Sequence, residues 1–331
     1  MRPLLRLALV IVLMTGCAPS APDLTPLIQA AVTETVQPTA TPVPTLTATP
    51  FPAPSATVET RPPEPSAQAC GEGPVCSLDG HFPFQRPIGS TGKQVIERSY
   101  PYGSTLDGML ELHHGVEFYN AQGTPILAAA DGTVIFAGDD KLTLLSWVTG
   151  YYGNVVVLEH HLPGLPETLY TLYGHQYQVN VTAGQEVGVG EVIGYVGATG
   201  SARGSHLHFE VRVSNNDYKS NRNPELWLQP LPGTGALAGR IEDPGGGLTK
   251  GKVNIQRIEN GVLNPFSVAA VETYANAAQP INPDDIYQEN FAIGDLPAGE
   301  YRLSLMNNGA LYEQVIKIEA GRLTLVRLVV R

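Results

Sequence analysis

The chain has 331 residues, which at about 150 residues per domain predicts roughly two domains. Only 15% of residues are charged and 7% aromatic, against 28 Pro and 35 Gly. Turns and short strands are therefore favoured, and a coiled coil or helical bundle is excluded. With 20 basic and 31 acidic residues the net charge is −11, which excludes nucleic acid as a partner and gives no attraction to an anionic membrane surface.

Arg2 and Arg6 precede the apolar run Leu7–Met14. As a helix that run is about 12 Å long, far short of a bilayer core of about 30 Å, so residues 1–16 read as a secretory signal. The following Met14-Thr15-Gly16-Cys17 resembles the lipobox of bacterial lipoproteins, with Met14 where Leu is usual. That resemblance implies lipidation of Cys17 and an extracytoplasmic, membrane-anchored protein at the cell surface or in the periplasm. Residues 18–69 hold 12 prolines, 10 Thr, 10 Ala, no Gly and five charges. Such a composition cannot bury a core and favours polyproline II; with Cys17 it reads as a disordered stalk over 17–69, about 160 Å when fully extended. In an oxidising exterior Cys70 and Cys76 read as a disulfide, a clasp where stalk meets folded chain. Two cysteines are too few for a structural zinc site.

From about Gly80 to Pro232 the sequence reads as short strands broken by glycine, an all-β pattern. Ile126–Gly138 reads as strand, Asp-Gly turn, strand. Val155–Glu159 and Thr168–Tyr173 read as two more, and Val187–Gly190 and Val192–Gly197 lead into His206–Val213. This last run alternates: His206, His208, Glu210 and Arg212 share one face, which is expected to look into a cleft or solvent, and Leu207, Phe209, Val211 and Val213 share the core face. The folded chain divides into segments 70–233 and 234–331. The second contains no histidine and reads as a β-sandwich; its phrase Leu296-Pro-Ala-Gly-Glu-Tyr-Arg-Leu303 resembles the carboxypeptidase-regulatory-like, prealbumin-type sandwiches, which implies a fold and no particular activity.

Five of the eight histidines fall in three phrases, Leu112-His-His-Gly-Val-Glu-Phe118, Leu172-Tyr-Gly-His175 and Ser205-His-Leu-His-Phe-Glu210. Same-face neighbours on a strand lie about 6.5–7 Å apart, so His206 and His208 can serve one metal, one as ligand and one just outside it. His113 and Glu117 offer one nitrogen and one oxygen. Three protein ligands with an open position are what a catalytic zinc requires.

These phrases, with Gly123–Val134, Tyr152-Gly-Asn, Gly190-Glu-Val-Ile-Gly and Gly197-Ala-Thr-Gly, resemble the lysostaphin-type (LytM) zinc endopeptidases that cut peptide cross-links in bacterial cell walls. The resemblance covers residues 105–215 and implies a compact antiparallel β domain with a groove over the metal. It implies that His113, Glu117 and His208 hold Zn2+, that His206 is the general base, and that His175 orients the water or stabilises charge on the carbonyl oxygen. The family has Asp where this chain has Glu117, a longer but legitimate zinc ligand. His114, His160, His161 and His81 receive no role in the site. The implied function is a surface-anchored peptidoglycan endopeptidase whose partners are stem or cross-bridge peptides and, through the lipid, the membrane. Glu117 leaves open a degenerate wall-binding module that activates or localises another hydrolase. A display protein working through the C-terminal sandwich is a third reading.

Overall fold

The computed structural model describes residues 70, 73–106, 108–274 and 281–331. The expected signal segment, the expected lipidation at Cys17 and the expected stalk to residue 69 fall on residues outside those described. Among the described residues there is no α-helix. In chain order the strands are β1 (Val75–Leu78), β2 (Val116–Phe118), β3 (Pro125–Leu127), β4 (Gly132–Asp139), β5 (Asn154–His160), β6 (Leu169–Gly174), β7 (Gln178–Val179), β8 (Glu186–Val187) and β9 (Val192–Tyr195). They continue with β10 (Leu207–Val213), β11 (Asn221–Arg222), β12 (Thr234–Glu242), β13 (Lys252–Glu259), β14 (Val262–Glu272), β15 (Phe291–Pro297), β16 (Gly299–Asn307), β17 (Ala310–Ile318) and β18 (Leu323–Val329).

The sheet that carries the histidines runs β11-β10-β6-β5-β4-β8, with β2 paired to β10 on the edge away from β6, and every pairing in it is antiparallel. A small sheet β3-β9-β7 packs beside it. The run Ile126–Gly138 is thus not a hairpin. β3 pairs with β9 while β4 pairs with β5 and β8, because Ala128–Ala130 are buried and carry the chain from one sheet to the other.

The C-terminal residues form two facing four-stranded sheets, β1-β18-β12-β15 and β14-β13-β16-β17. Between them lie Leu237, Ile241, Phe291, Ile293 and Val326 from the first and Val253, Ile255, Leu303 and Ile316 from the second. The first sheet is buried on both faces. Its alternate residues Ala236, Ala238, Ala292 and Leu323 enter the same core as Phe118, Phe209, Leu226 and Trp227. The small alanines allow this second face to approach the histidine-bearing region closely, with a continuous core across position 233. β1, placed by the sequence with residues 70–233, instead pairs with β18, Val75 opposite Val326. A disulfide joins Cys70 to Cys76 at the start of β1.

Candidate metal centre

Pairing of β2 with β10 places Glu117 directly opposite His208. Side chains opposed in this way meet across a sheet. His113 arrives from the loop before β2, where its N–H donates to Ser104 O (3.0 Å) and its carbonyl accepts from Gly103 N (2.8 Å). On the other side of β10, His208 faces Gly174 of β6. The next residue, His175, has φ +62°, a left-handed conformation uncommon outside glycine. It turns the imidazole back toward the sheet, with ring centroids 4.9 Å from His206 and 5.7 Å from His208.

Glu117 Oε1 lies 2.9 Å from His113 Nε2 and 3.0 Å from His208 Nδ1, and those nitrogens are 3.3 Å apart. Glu117 Oε2 lies 2.9 Å from His206 Nε2. The other ring nitrogens have partners that only accept, which fixes where each ring carries a proton. His113 Nδ1 donates to Tyr100 O (2.7 Å) and His208 Nε2 to Glu210 Oε1 (3.1 Å). His175 Nδ1 donates to Thr199 O (2.8 Å), and His206 Nδ1 to Gly204 O (2.9 Å). In their neutral forms, therefore, His113 and His208 turn lone pairs toward the Glu117 carboxylate. Three donor atoms that converge within 4.8 Å of one another fit a cation that displaces the proton His208 shares with Glu117, and the N2O donor set suits Zn2+.

Burial opposes both charged forms here, but their neighbours outweigh it. His208 is held at about 9, since the carboxylates of Glu117 and Glu210 overcome the burial that would lower it. The Glu117 carboxyl, pushed up by burial, is held well below its usual value by the positive charge and N–H of His208 and by the adjoining His113 and His206 imidazoles. For His175, burial and the neighbouring His208 and His206 outweigh Glu117 and the Thr199 carbonyl and take it down to about 3, so it is neutral.

Glu210 and Arg212 correct the expectation for β10. His206 and His208 do line a cavity of about 600 Å3, but Glu210 and Arg212 on the same face are completely buried. Glu210 accepts from His208, from Arg212 Nε (2.8 Å), from Asn221 Nδ2 (2.7 Å) and from the Tyr152 hydroxyl. Arg212 also donates to Leu145 O and Asn216 Oδ1. Charges so buried persist only when paired and fully hydrogen-bonded. This network holds the His208 ring from behind. The sequence reading gave no role to Glu210, Arg212, Tyr152 or Asn221, although the four polar residues alternating on β10 were the available signal. Tyr100 was also missed; its ring stacks on His113 at 4.1 Å and 6°.

The remaining histidines stand apart. His114 stacks on Tyr218 and burial lowers it to about 4. His160 is buried against Asp131 O and Thr171, while His161 is exposed beside Glu159. His81 is sandwiched by Trp227 and Tyr287 and paired with Asp284.

Residues 111–221 match Peptidase family M23, and this stretch of the chain is a domain of that family. Among curated proteins, DD-carboxypeptidase/endopeptidase Mpg of Neisseria meningitidis is 37% identical over 137 residues, 40% of this chain and 27% of its own length. Peptidoglycan DD-endopeptidase ShyC of Vibrio cholerae is 32% identical over 138 residues, 42% of this chain and 27% of its own. Lipoprotein NlpD/LppB homolog of Pseudomonas aeruginosa is 36% identical over 125 residues, 37% of each. The chain spans 27–37% of the length of these relatives.

Proposed function

We propose that the protein is a zinc metalloendopeptidase that hydrolyses peptide bonds in peptidoglycan cross-links, held outside the cell by a lipid on Cys17 and a stalk to residue 69. The convergence of His113 Nε2, His208 Nδ1 and Glu117 Oε1 carries this reading, and the endopeptidase names among the relatives support the substrate class. His113, Glu117 and His208 would hold the ion. Zn2+ bound there supplies Lewis acidity toward a scissile carbonyl and lowers the pKa of water.

The chain's own residues supply the rest. His206, its Nδ1 proton committed to Gly204 O, presents Nε2 as the base that takes a proton from the attacking water. Neutral His175 likewise has its proton on Nδ1, committed to Thr199 O. Its Nε2 can only accept, which favours orienting the water over donating to a carbonyl oxygen. Tyr100 and the Glu210 network fix the rings of His113 and His208 against rotation.

The degenerate wall-binding reading keeps one supporting observation. The longer Glu117 side chain reaches His206 with its second oxygen, which ties up the proposed base. Purified peptidoglycan, digested with and without a chelator and analysed by mass spectrometry, separates the two. New peptide termini that vanish with chelator support the enzyme; wall binding without cleavage supports the module.

A further inference from the structure

Beside the metal-side cavity lies a second one of about 770 Å3, and the two share Tyr119, Arg203 and His206. Its walls include Lys93, Arg203, Asn120 and Ser205, and no carboxylate lines it. That is unusual in a chain with 31 acidic and 20 basic residues. Every other described arginine except the C-terminal Arg331 faces a carboxylate within 4 Å. Among the described residues, the Arg203 guanidinium and the Lys93 ammonium have no such partner.

The surroundings fix the backbone of Lys93 and leave both cationic side chains exposed and unneutralised. The Asn120 side chain clamps the Lys93 backbone from both sides, accepting from Lys93 N (2.7 Å) and donating to Lys93 O (3.0 Å). The buried Ser205 hydroxyl, on the residue between Gly204 and His206, has no protein partner. Glu111 and Glu117 line the metal-side cavity and not this one. Two cations without a carboxylate partner beside the unpartnered Ser205 hydroxyl favour an anion, and a planar carboxylate matches the guanidinium fork.

We propose that Lys93 and Arg203 form a specificity subsite that holds a free carboxylate of the peptide substrate on the His206 side of the scissile bond. This rests on the peptidase reading above. It defines the substrate as a peptide carrying an acidic group one short step from the bond that is cut.

The test uses two synthetic cross-linked stem peptides, identical except that one bears a free carboxylate beside the scissile amide and the other a carboxamide. Dissociation constants and kcat/KM are measured for the full chain and for Lys93→Ala, Arg203→Ala and the double variant. The wild-type chain is expected to favour the carboxylate peptide about tenfold, as a charge-assisted contact at an accessible site would. In the double variant the ratio between the two peptides should fall to near one. Added salt should shrink the wild-type ratio, since both cations are exposed. Equal cleavage of both peptides by the wild-type chain, or a ratio that survives in the double variant, overturns the subsite while leaving the peptidase reading intact. A carboxylate preference in binding without cleavage of either peptide upholds the subsite and defeats the peptidase reading. Binding of neither peptide overturns both.

Discussion

Gly115 runs directly beneath the ring of His208: a Cβ built on it would lie 2.7 Å from His208 Cε1 and 2.5 Å from Phe209 O. The glycine two residues after His113 and two before Glu117 is what lets the backbone cross β10 at a distance where both side chains reach the His208 nitrogen. Gly115→Ala must push either the rigid backbone or the ring away. It is expected to weaken zinc affinity at least tenfold, measured by competition with a chromogenic chelator, with a loss of stability of about 1–3 kcal/mol as in other overpacked sites.

The two histidines of β10 should separate by readout. His208→Ala removes a proposed ligand and should abolish stoichiometric zinc in elemental analysis. His206→Ala should keep the zinc and lose about 10²–10⁴ in kcat, the usual range for a general base. Equal zinc content and equal activity in both variants would contradict the roles assigned.

The buried pair behind His208 gives a stability prediction. Glu210→Gln leaves the Arg212 guanidinium without its charge partner in a fully buried position. Removing one member of such a pair costs about 3–5 kcal/mol, readable as a lower urea midpoint. Replacing both residues with apolar ones of similar size should cost less than the single change.

His160 predicts an acid limb of stability that does not involve the metal. Burial lowers it to about 4, against about 6.5 in an unfolded chain. Between those values the unfolded state binds the proton and the folded state does not, so stability is complete above about pH 6.5 and declines as pH falls toward 4. The total is about 3 kcal/mol for this group. In metal-free protein, His160→Gln should flatten the slope of unfolding free energy across that window, whatever it does to the absolute value.

The shared core predicts that the C-terminal sandwich cannot simply be removed. Ending the chain at 233 takes away Ala236, Ala238, Ala292 and Leu323 from the core that holds Phe118 and Phe209, and strips β1 of its partner β18. It also removes Asn282, which donates to Asn221 O, and Tyr274, whose ring meets Tyr102 edge-on at 5.5 Å. Because Asn221 is bound to Glu210, the loss reaches the site. A chain of residues 70–233 is expected to lack a cooperative thermal transition, whereas 70–331 should show one.

What the sequence made legible was whatever lies in local spacing. The alternation of β10, the Gly-punctuated strands and the three histidine phrases each sit within a few residues, so period-2 reasoning set His206 and His208 on one face, while the grouping of His113, Glu117 and His175 with them rested on the family resemblance. Two things escaped it. Alternation distinguishes the faces of a strand but cannot tell a wet face from one sealed by a buried ion pair, since Tyr152 and Asn221, which satisfy Glu210, come from distant parts of the chain. Likewise, nothing near Val75–Leu78 announces a partner about 250 residues away in β18, so the segment was assigned to its sequence neighbours. The Ile126–Gly138 run failed for the same reason: an Asp-Gly turn signals a reversal but not which strand comes alongside.

The enzyme reading turns on whether Glu117 serves with His113 and His208 as a zinc ligand. Anomalous diffraction at the zinc edge, from crystals of the protein with one equivalent of zinc, tests it most directly. A single peak is expected about 2.0–2.2 Å from His113 Nε2, His208 Nδ1 and a Glu117 oxygen. A chain that takes up no zinc, with Glu117 still bridging His113, His208 and His206, would contradict it and leave a wall-binding module in place of the enzyme.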